Sequence, residues 1–399
     1  MDLSRRDFIK KTAAAALSGA IAPRVFSKDE ELSGHKGKVY PDQRKKYTDP
    51  ESGKTVWQMT DTPGSTTTGQ YATQNMATPD GRWLIYGSDR GSQKEQMNLF
   101  KMDLKTGESV QLTESDKDLT PRWSHISRDG KEVFYIEDTN HFKAVNIDSL
   151  EERSLCRVEN CHRPHQLTVS ADDRFIADGV FLEKKEEEAF LEDEGFLIRS
   201  AIVVIDTKTG TQRRLLDGNT PLTHVQYCPT GPKLVLYCHG GPWNYVQRLW
   251  LINADGSNNR PVFIQSKFEG AGHEFWSANG KRIYVFCNGG RKPQGLWSYD
   301  VGTKKEKCVL VGACTGHGTA NPAEDRFVVN EIYRDVSKGL WISKKGDPTP
   351  QFLCKAGKGS YDIPPYHGGS AHPRFLPDGK RVAFTSALTG SGELYIVEV

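Results

Sequence analysis

The sequence predicts an all-β protein, a seven-bladed β-propeller whose ring is closed by pairing of N-terminal and C-terminal strands. Two observations carry this. Seven segments share a turn-like dipeptide followed by an apolar strand: "TPDGRWLIYGS", "SRDGKEVFYIE", "SADDRFIADGV", "PTGPKLVLYCH", "SANGKRIYVFC", "PAEDRFVVNEI" and "LPDGKRVAFTS". Their turns recur at intervals of roughly 43 to 58 residues, the period of a four-stranded blade. The two ends are also complementary. The chain finishes on "GELYIVEV", a strand without its hairpin partner, while "YTDPESGKTVWQMT" near the start offers a turn and a strand with no preceding blade. Pairing them completes the last blade and removes two exposed sheet edges.

The elements follow in chain order. "SRRDFIKK" (Ser4 to Lys11) precedes the short apolar run "TAAAALSGAIA", too short to span a membrane but suited to the apolar stretch of a signal peptide. The pattern resembles a twin-arginine export signal, with Arg5 and Arg6 as the pair. Residues 1–27 are therefore read as signal peptide and 28–399 as the propeller domain, its blades covering about 36 to 399, with a periplasmic location. Within the blades, each repeat strand but the last is followed by a second unit such as "NLFKMDLKTGESVQLT" or "RLWLINADGSNNRPVF", which reads as strand, polar turn, strand. The acidic insertion "LEKKEEEAFLEDEGFLIRS" (Leu182 to Ser200) interrupts the third blade.

Composition narrows the function. Among 399 residues, 53 basic and 51 acidic side chains leave a formal charge of +2 spread along the chain, so no nucleic-acid partner is expected. No stretch of about 18 apolar residues suggests a spanning helix. The eight cysteines form no Cys-x-x-Cys pair. Cys156 and Cys161 are the closest two, but several cysteines stand in apolar strands such as "KLVLYCHG", where a buried free thiol is the expected state.

The histidines are distributed less evenly. His224 in "LTHVQYCPTG", His273 in "GHEFWSANG", His317 in "CTGHGTANPAED", and His367 and His372 in "YHGGSAHPRFLPDG" all stand shortly before a repeat turn, which places them at one rim of the ring. His239, in "YCHGGPWNYVQRLW", follows its strand. A convergent set of imidazoles reads as a metal site plus a base. Gln70, Gln74, Arg163 and His165 occupy the matching rim of the first and third blades and are read as lining the same pocket, while His224 and Gln226 are candidates to shape a sugar subsite.

"CHGGPW", "VQRLW", "HEFW" and "HPRFLPDGKRVAFTS" together resemble the oligogalacturonate lyases, seven-bladed propellers that split short galacturonides by β-elimination. The resemblance implies metal ligands at His317 and His372, with His367 in place of the family's glutamine and Ser370 in place of a ligating histidine. It further implies that His273 is the Brønsted base and that Arg248 meets the substrate carboxylate. His239, His224, Gln226 and Ser370 are then the substrate-binding set. The implied cofactor is a divalent metal, manganese first among manganese, iron, nickel and zinc. The chemistry asks for such a set. A proton beside a uronate carboxylate is weakly acidic, and cationic groups on that carboxylate stabilise the charge that develops as an imidazole removes it. Two departures are plain: Ser370, and an export signal in a family whose members are typically cytoplasmic. They keep open a lyase for a glucuronate-containing linkage and a non-enzymatic periplasmic propeller that binds a protein partner.

Overall fold

The computed structural model describes the chain except residues 1–33, 93–95, 185–196, 232, 291, 314–315, 331, 333–338 and 358–370. The signal segment, the boundary at residue 28, the middle of the acidic insertion, His367 and Ser370 lie outside the described residues. What is described is a ring of seven antiparallel sheets, four of them four-stranded and three five-stranded. A single 3₁₀ turn, Pro121–Trp123, is the one helical element among the described residues.

Closure occurs at the seventh blade. Thr55–Gln58 pairs antiparallel with the last strand, Glu393–Glu398, in the register Val56↔Val397, Trp57↔Ile396 and Gln58↔Tyr395. Lys45–Thr48 then covers the outside of Thr55–Gln58. The N-terminus thus supplies two strands of this blade, and the inner three come from the C-terminus. The expected closure is present, with one addition: Val39–Tyr40 adds a fifth strand to the outer edge of the first blade by pairing with Ser109–Gln111.

The period-two pattern of a half-exposed sheet is absent from the second strand of each blade because both faces are covered. Trp83–Ser88, Leu234–His239 and Arg381–Ser386 are buried along almost their whole length. Seven apolar clusters fill the seven spaces between adjacent blades. One is built on Phe134, Phe142 and Ile176 between the second and third blades, another on Val328, Phe384 and Val397 between the sixth and seventh. Each such side chain contributes about 1.5–3 kcal/mol by leaving water, so every blade is held by its two neighbours rather than by a common centre.

The acidic insertion leaves the third blade between Phe175–Phe181 and Ser200–Asp206, which pair from Phe175↔Asp206 to Phe181↔Ser200. The hairpin is therefore intact on both sides of it. All seven described cysteines are free, Cys156 and Cys161 included. Burial pushes the Cys161 thiol up to about 12, as expected for an inert interior thiol.

Candidate active site

The innermost strand of each blade runs from one rim of the channel down to the repeat turn, and two of these strands are interrupted. Register shifts fall between Thr223 and Gln226 in the fourth blade and between Gly272 and Phe275 in the fifth. Each is a β-bulge, and at each the histidine takes a left-handed backbone: φ is +50° at His224 and +49° at His273. His372, just before the inner strand of the seventh blade, has φ +43°. A non-glycine residue held there costs of order 1–3 kcal/mol, and such strain clusters where a side chain must be aimed. Here it aims three imidazoles at the channel axis.

The result is a closed circle of rings, one from each blade: Tyr71, Trp123, His165, His224, His273, His317 and His372. Consecutive centroids are 5.4, 5.2, 5.2, 5.9, 3.9 and 4.4 Å apart, and His372 returns to Tyr71 at 4.9 Å. Tyr71 reaches across the circle, its hydroxyl 3.0 Å from His317 Nε2 and its ring 5.7 Å from that of His224. Arg122 lies over the rings of Tyr71 and Trp123 and donates from Nη2 to His372 Nε2 at 3.3 Å.

His273 is fixed on three sides. Its Nδ1 is 3.1 Å from Gly316 O, which takes the ring proton there, leaving Nε2 as the acceptor. His317 stacks on one face, and Trp243 meets it edge-on at 4.8 Å. The indole lies so close to the strand that a Cβ on Gly272 would fall 2.7 Å from it, which explains the glycine in "GAGHEFW". Burial lowers the His273 pKa to about 3; His224 and Arg248 add to the fall, while Gly316 O and Glu274 oppose it. The imidazole is therefore neutral at neutral pH.

Arg248 is 5% exposed, donates from Nη1 to Gly241 O at 3.0 Å and packs over Trp243. Its charge is felt at Glu274, Cys238, His239 and His273. Glu274 is fully buried, with Oε1 3.3 Å from His224 Nδ1. Burial alone would raise its carboxyl, but His224 and Arg248 outweigh that and hold it below the usual range. His224, Cys238 and Glu274 bring one ligand atom each within 4.8 Å of the others, a grouping able to hold a metal ion. Burial keeps the Cys238 thiol protonated, and the positive field of Arg248 acts on the carboxylate, but His224 Nδ1 and both Glu274 oxygens have no hydrogen-bond partner among the described residues.

His317 and His372 are a second pair of candidate ligands. Both are buried, and burial, reinforced by neighbouring positive groups, drives both well below the usual histidine range, so both are neutral imidazoles, the form that can ligate a metal. Arg122 can only donate, which makes His372 Nε2 the acceptor of that bond and places the ring proton on Nδ1.

The sequence of this domain matches the profile of the oligogalacturonate lyases over residues 34–329, about three quarters of the chain. The chain belongs to the oligogalacturonate lyase family. The oligogalacturonate lyase of Dickeya dadantii is 27% identical over 351 residues, covering 82% of this chain and 89% of that one. The oligogalacturonide lyase of Pectobacterium atrosepticum is 26% identical over 342 residues, covering 80% and 87%. Two solved structures share the fold. An oligogalacturonate lyase in complex with manganese superposes with a TM-score of 0.81 at 24% identity, over 92% of this chain and 98% of its own. A second, from Vibrio parahaemolyticus, gives 0.82 at 24% identity, over 91% and 98%.

Within this lyase-family site, His273, His317, His372, His224 and Arg248 are brought together. His239 is not in the circle. It shares a strand face with Tyr237, and its ring packs against Tyr237 and Trp250 with Nδ1 3.0 Å from Thr220 Oγ1. Gln226 lies one level lower, donating to Glu274 O at 2.8 Å. Gln70 reaches Ser124 Oγ at 3.4 Å and Gln74 bonds Leu167 O, so both tie blades together. His165 is a member of the circle, and Arg163 is exposed beside it. Sequence reasoning missed Tyr71, Trp123, Arg122, Trp243 and Glu274. The first three stand before repeat turns, as the histidines do, and position relative to the turn was the signal available for them.

Proposed function

We propose that this lyase cleaves oligogalacturonides by β-elimination, taking the proton at C5 of a uronate and expelling the glycosidic oxygen at C4 to leave a 4,5-unsaturated product. The observation that carries the reading is the neutral His273, set by a strained bulge between a carboxylate-binding arginine and a pair of ligand-type imidazoles. Arg248 would bind the substrate carboxylate, its guanidinium being buried and already oriented by Gly241 O and Trp243. His273 would accept the C5 proton at Nε2 while Gly316 O holds Nδ1–H. His317 and His372 would hold a divalent cation, manganese by analogy with the solved manganese complex. Such a cation supplies Lewis-acid stabilisation of charge on the carboxylate. Tyr71, Trp123 and Trp243 close the site against water, which strengthens every charge interaction inside it.

The substrate linkage is tested by incubating purified protein with oligogalacturonides and, separately, with glucuronate-containing oligosaccharides while following ultraviolet absorbance of the unsaturated product. Absorbance that rises with oligogalacturonides alone supports the proposal. A rise confined to the glucuronate series moves the reading to another uronate linkage, and none with either leaves a binding propeller. Export rests on "SRRDFIKK". Cell fractionation should find the protein in the periplasm, and Arg5→Lys with Arg6→Lys should retain it in the cytoplasm.

A further inference from the structure

At the repeat-turn end of the channel, below the circle of rings, lies a cavity of about 350 Å³. Cross-blade bonds separate the two levels: Gln226 to Glu274 O, Trp276 Nε1 to Gln226 O, Gln74 to Leu167 O and Arg374 to Ala72 O. None of the aromatic circle lines this lower space. Arg128, Arg374 and His125 do, alongside Trp276 and Phe375, and no Asp or Glu lines it among the described residues.

The charge of Arg128 is felt at Arg374, and both guanidiniums are felt at the imidazole of His125. Burial, with Arg128 adding to it, pushes Arg374 down to about 10. His125 is lowered to about 3, first by burial and then by the charges of Arg128 and Arg374. Arg128 donates from Nη2 to Val169 O at 3.1 Å, while its buried Nε has no described hydrogen-bond partner. Arg374 spends its bonds on neutral acceptors, Ala72 O and Asn75 Oδ1. The carboxylate acting on Arg128 is Asp173, and it accepts the backbone N–H groups of Arg128 and Asp129. Two partly buried cations facing one cavity without a carboxylate in its wall is an arrangement that an anion relieves. His125 adds selectivity. Its Nδ1–H goes to Ile126 O at 2.7 Å, which leaves Nε2 as an acceptor in the same wall.

We propose that the turn-side end of the channel is a second binding site, for a small oxyanion that also carries a hydroxyl group: Arg128 and Arg374 take the anionic oxygens and His125 accepts from the hydroxyl. Hydrogen phosphate and a monomeric hydroxycarboxylate such as galacturonate share that chemistry. Sulfate has the charge without the hydroxyl. The site is independent of the elimination chemistry above, because none of its three residues belongs to the upper circle.

Isothermal titration of the full-length protein with hydrogen phosphate, galacturonate and sulfate tests this. Binding of phosphate or galacturonate is expected, at least tenfold tighter than sulfate and at least tenfold weaker in Arg128→Gln. Arg248→Ala, in the upper site, should leave the hydrogen phosphate affinity unchanged. No binding of either ligand, sulfate binding as tightly, equal affinity in Arg128→Gln, or loss of phosphate binding in Arg248→Ala would each overturn the proposal. If Arg128→Gln does not fold, a crystal structure of the parent protein with the bound ligand decides. Density between Arg128 and Arg374 supports the site, and density only at the upper histidines refutes it.

Discussion

His273 and Arg248 act at different moments, and their variants should differ in kind. His273→Ala removes the proton acceptor but leaves the carboxylate partner, so kcat should fall about 100-fold or more with KM little changed. Arg248→Ala removes a group that meets the substrate before and during reaction, and should raise KM and lower kcat together. Steady-state kinetics on one oligogalacturonide separates the two; a matching pattern in both variants would contradict the assignment. Other buried imidazoles link stability to pH. His125 has a folded pKa of about 3 against about 6.5 unfolded, and His165 is also driven well below its ordinary value by burial and by His224. In that window the unfolded chain binds the proton and the folded chain does not. Stability is therefore complete above pH 6.5 and is lost as pH falls, by about 1.4 kcal/mol per unit for a single such histidine. Asp178, raised to about 7 by burial, acts in the opposite sense, since its folded form holds a proton that the unfolded form releases. Two histidines against one aspartate leave the balance with acid destabilisation, so the urea midpoint should be lower at pH 5 than at pH 7.5. An equal or higher midpoint at pH 5 would show that the imidazoles are not buried as described.

At the scale of strands, the bulges at His224 and His273 decide what the site is. A strand that kept strict alternation would turn either imidazole toward a neighbouring blade, as happens to His239 at the end of Leu234–His239. Trp243 then locks His273 from the side, against the bare Cα of Gly272. Gly272→Ala should displace the indole and lower turnover by about tenfold, following the loss expected when a reacting group is misplaced by a fraction of an ångström. Kinetics alongside a folded circular dichroism spectrum checks it; unchanged turnover would mean that Trp243 does not position the base. Periodicity explains which parts were legible in advance. The turn dipeptides and the unpaired terminal strands recur or complement one another, so blade number and closure could be read directly. The rim histidines could be read from their distance to the next turn. Tyr71 and Trp123 share that position but not the residue type that draws attention to it, and Trp243 lacks both, because an aromatic side chain in a β protein has the same local signature whether it fills a core or faces a channel. Nor could the exclusion of His239, which depends on strand parity, or the left-handed φ values, which depend on bulges that no residue type announces.

The whole ring is needed to make the site, since the circle draws one side chain from every blade and each blade is held only by its neighbours. A cation bound by His317 and His372 would join the sixth blade to the seventh, where the ends of the chain meet. Adding manganese to chelator-treated protein should raise the melting temperature, with a stabilisation near 2.7 kcal/mol at a hundredfold excess over Kd. His317→Ala and His372→Ala should each abolish the shift, and a shift that survives both would place the metal elsewhere. The most direct test of the central claim, that this circle of rings performs β-elimination on a uronate chain, is the mass and absorbance of the products formed from a saturated oligogalacturonide. The account predicts one ultraviolet-absorbing unsaturated fragment and one saturated fragment whose masses sum to that of the substrate, formed by the parent protein and lost in His273→Ala. Fragments that together weigh one water more and do not absorb would mean hydrolysis and contradict it.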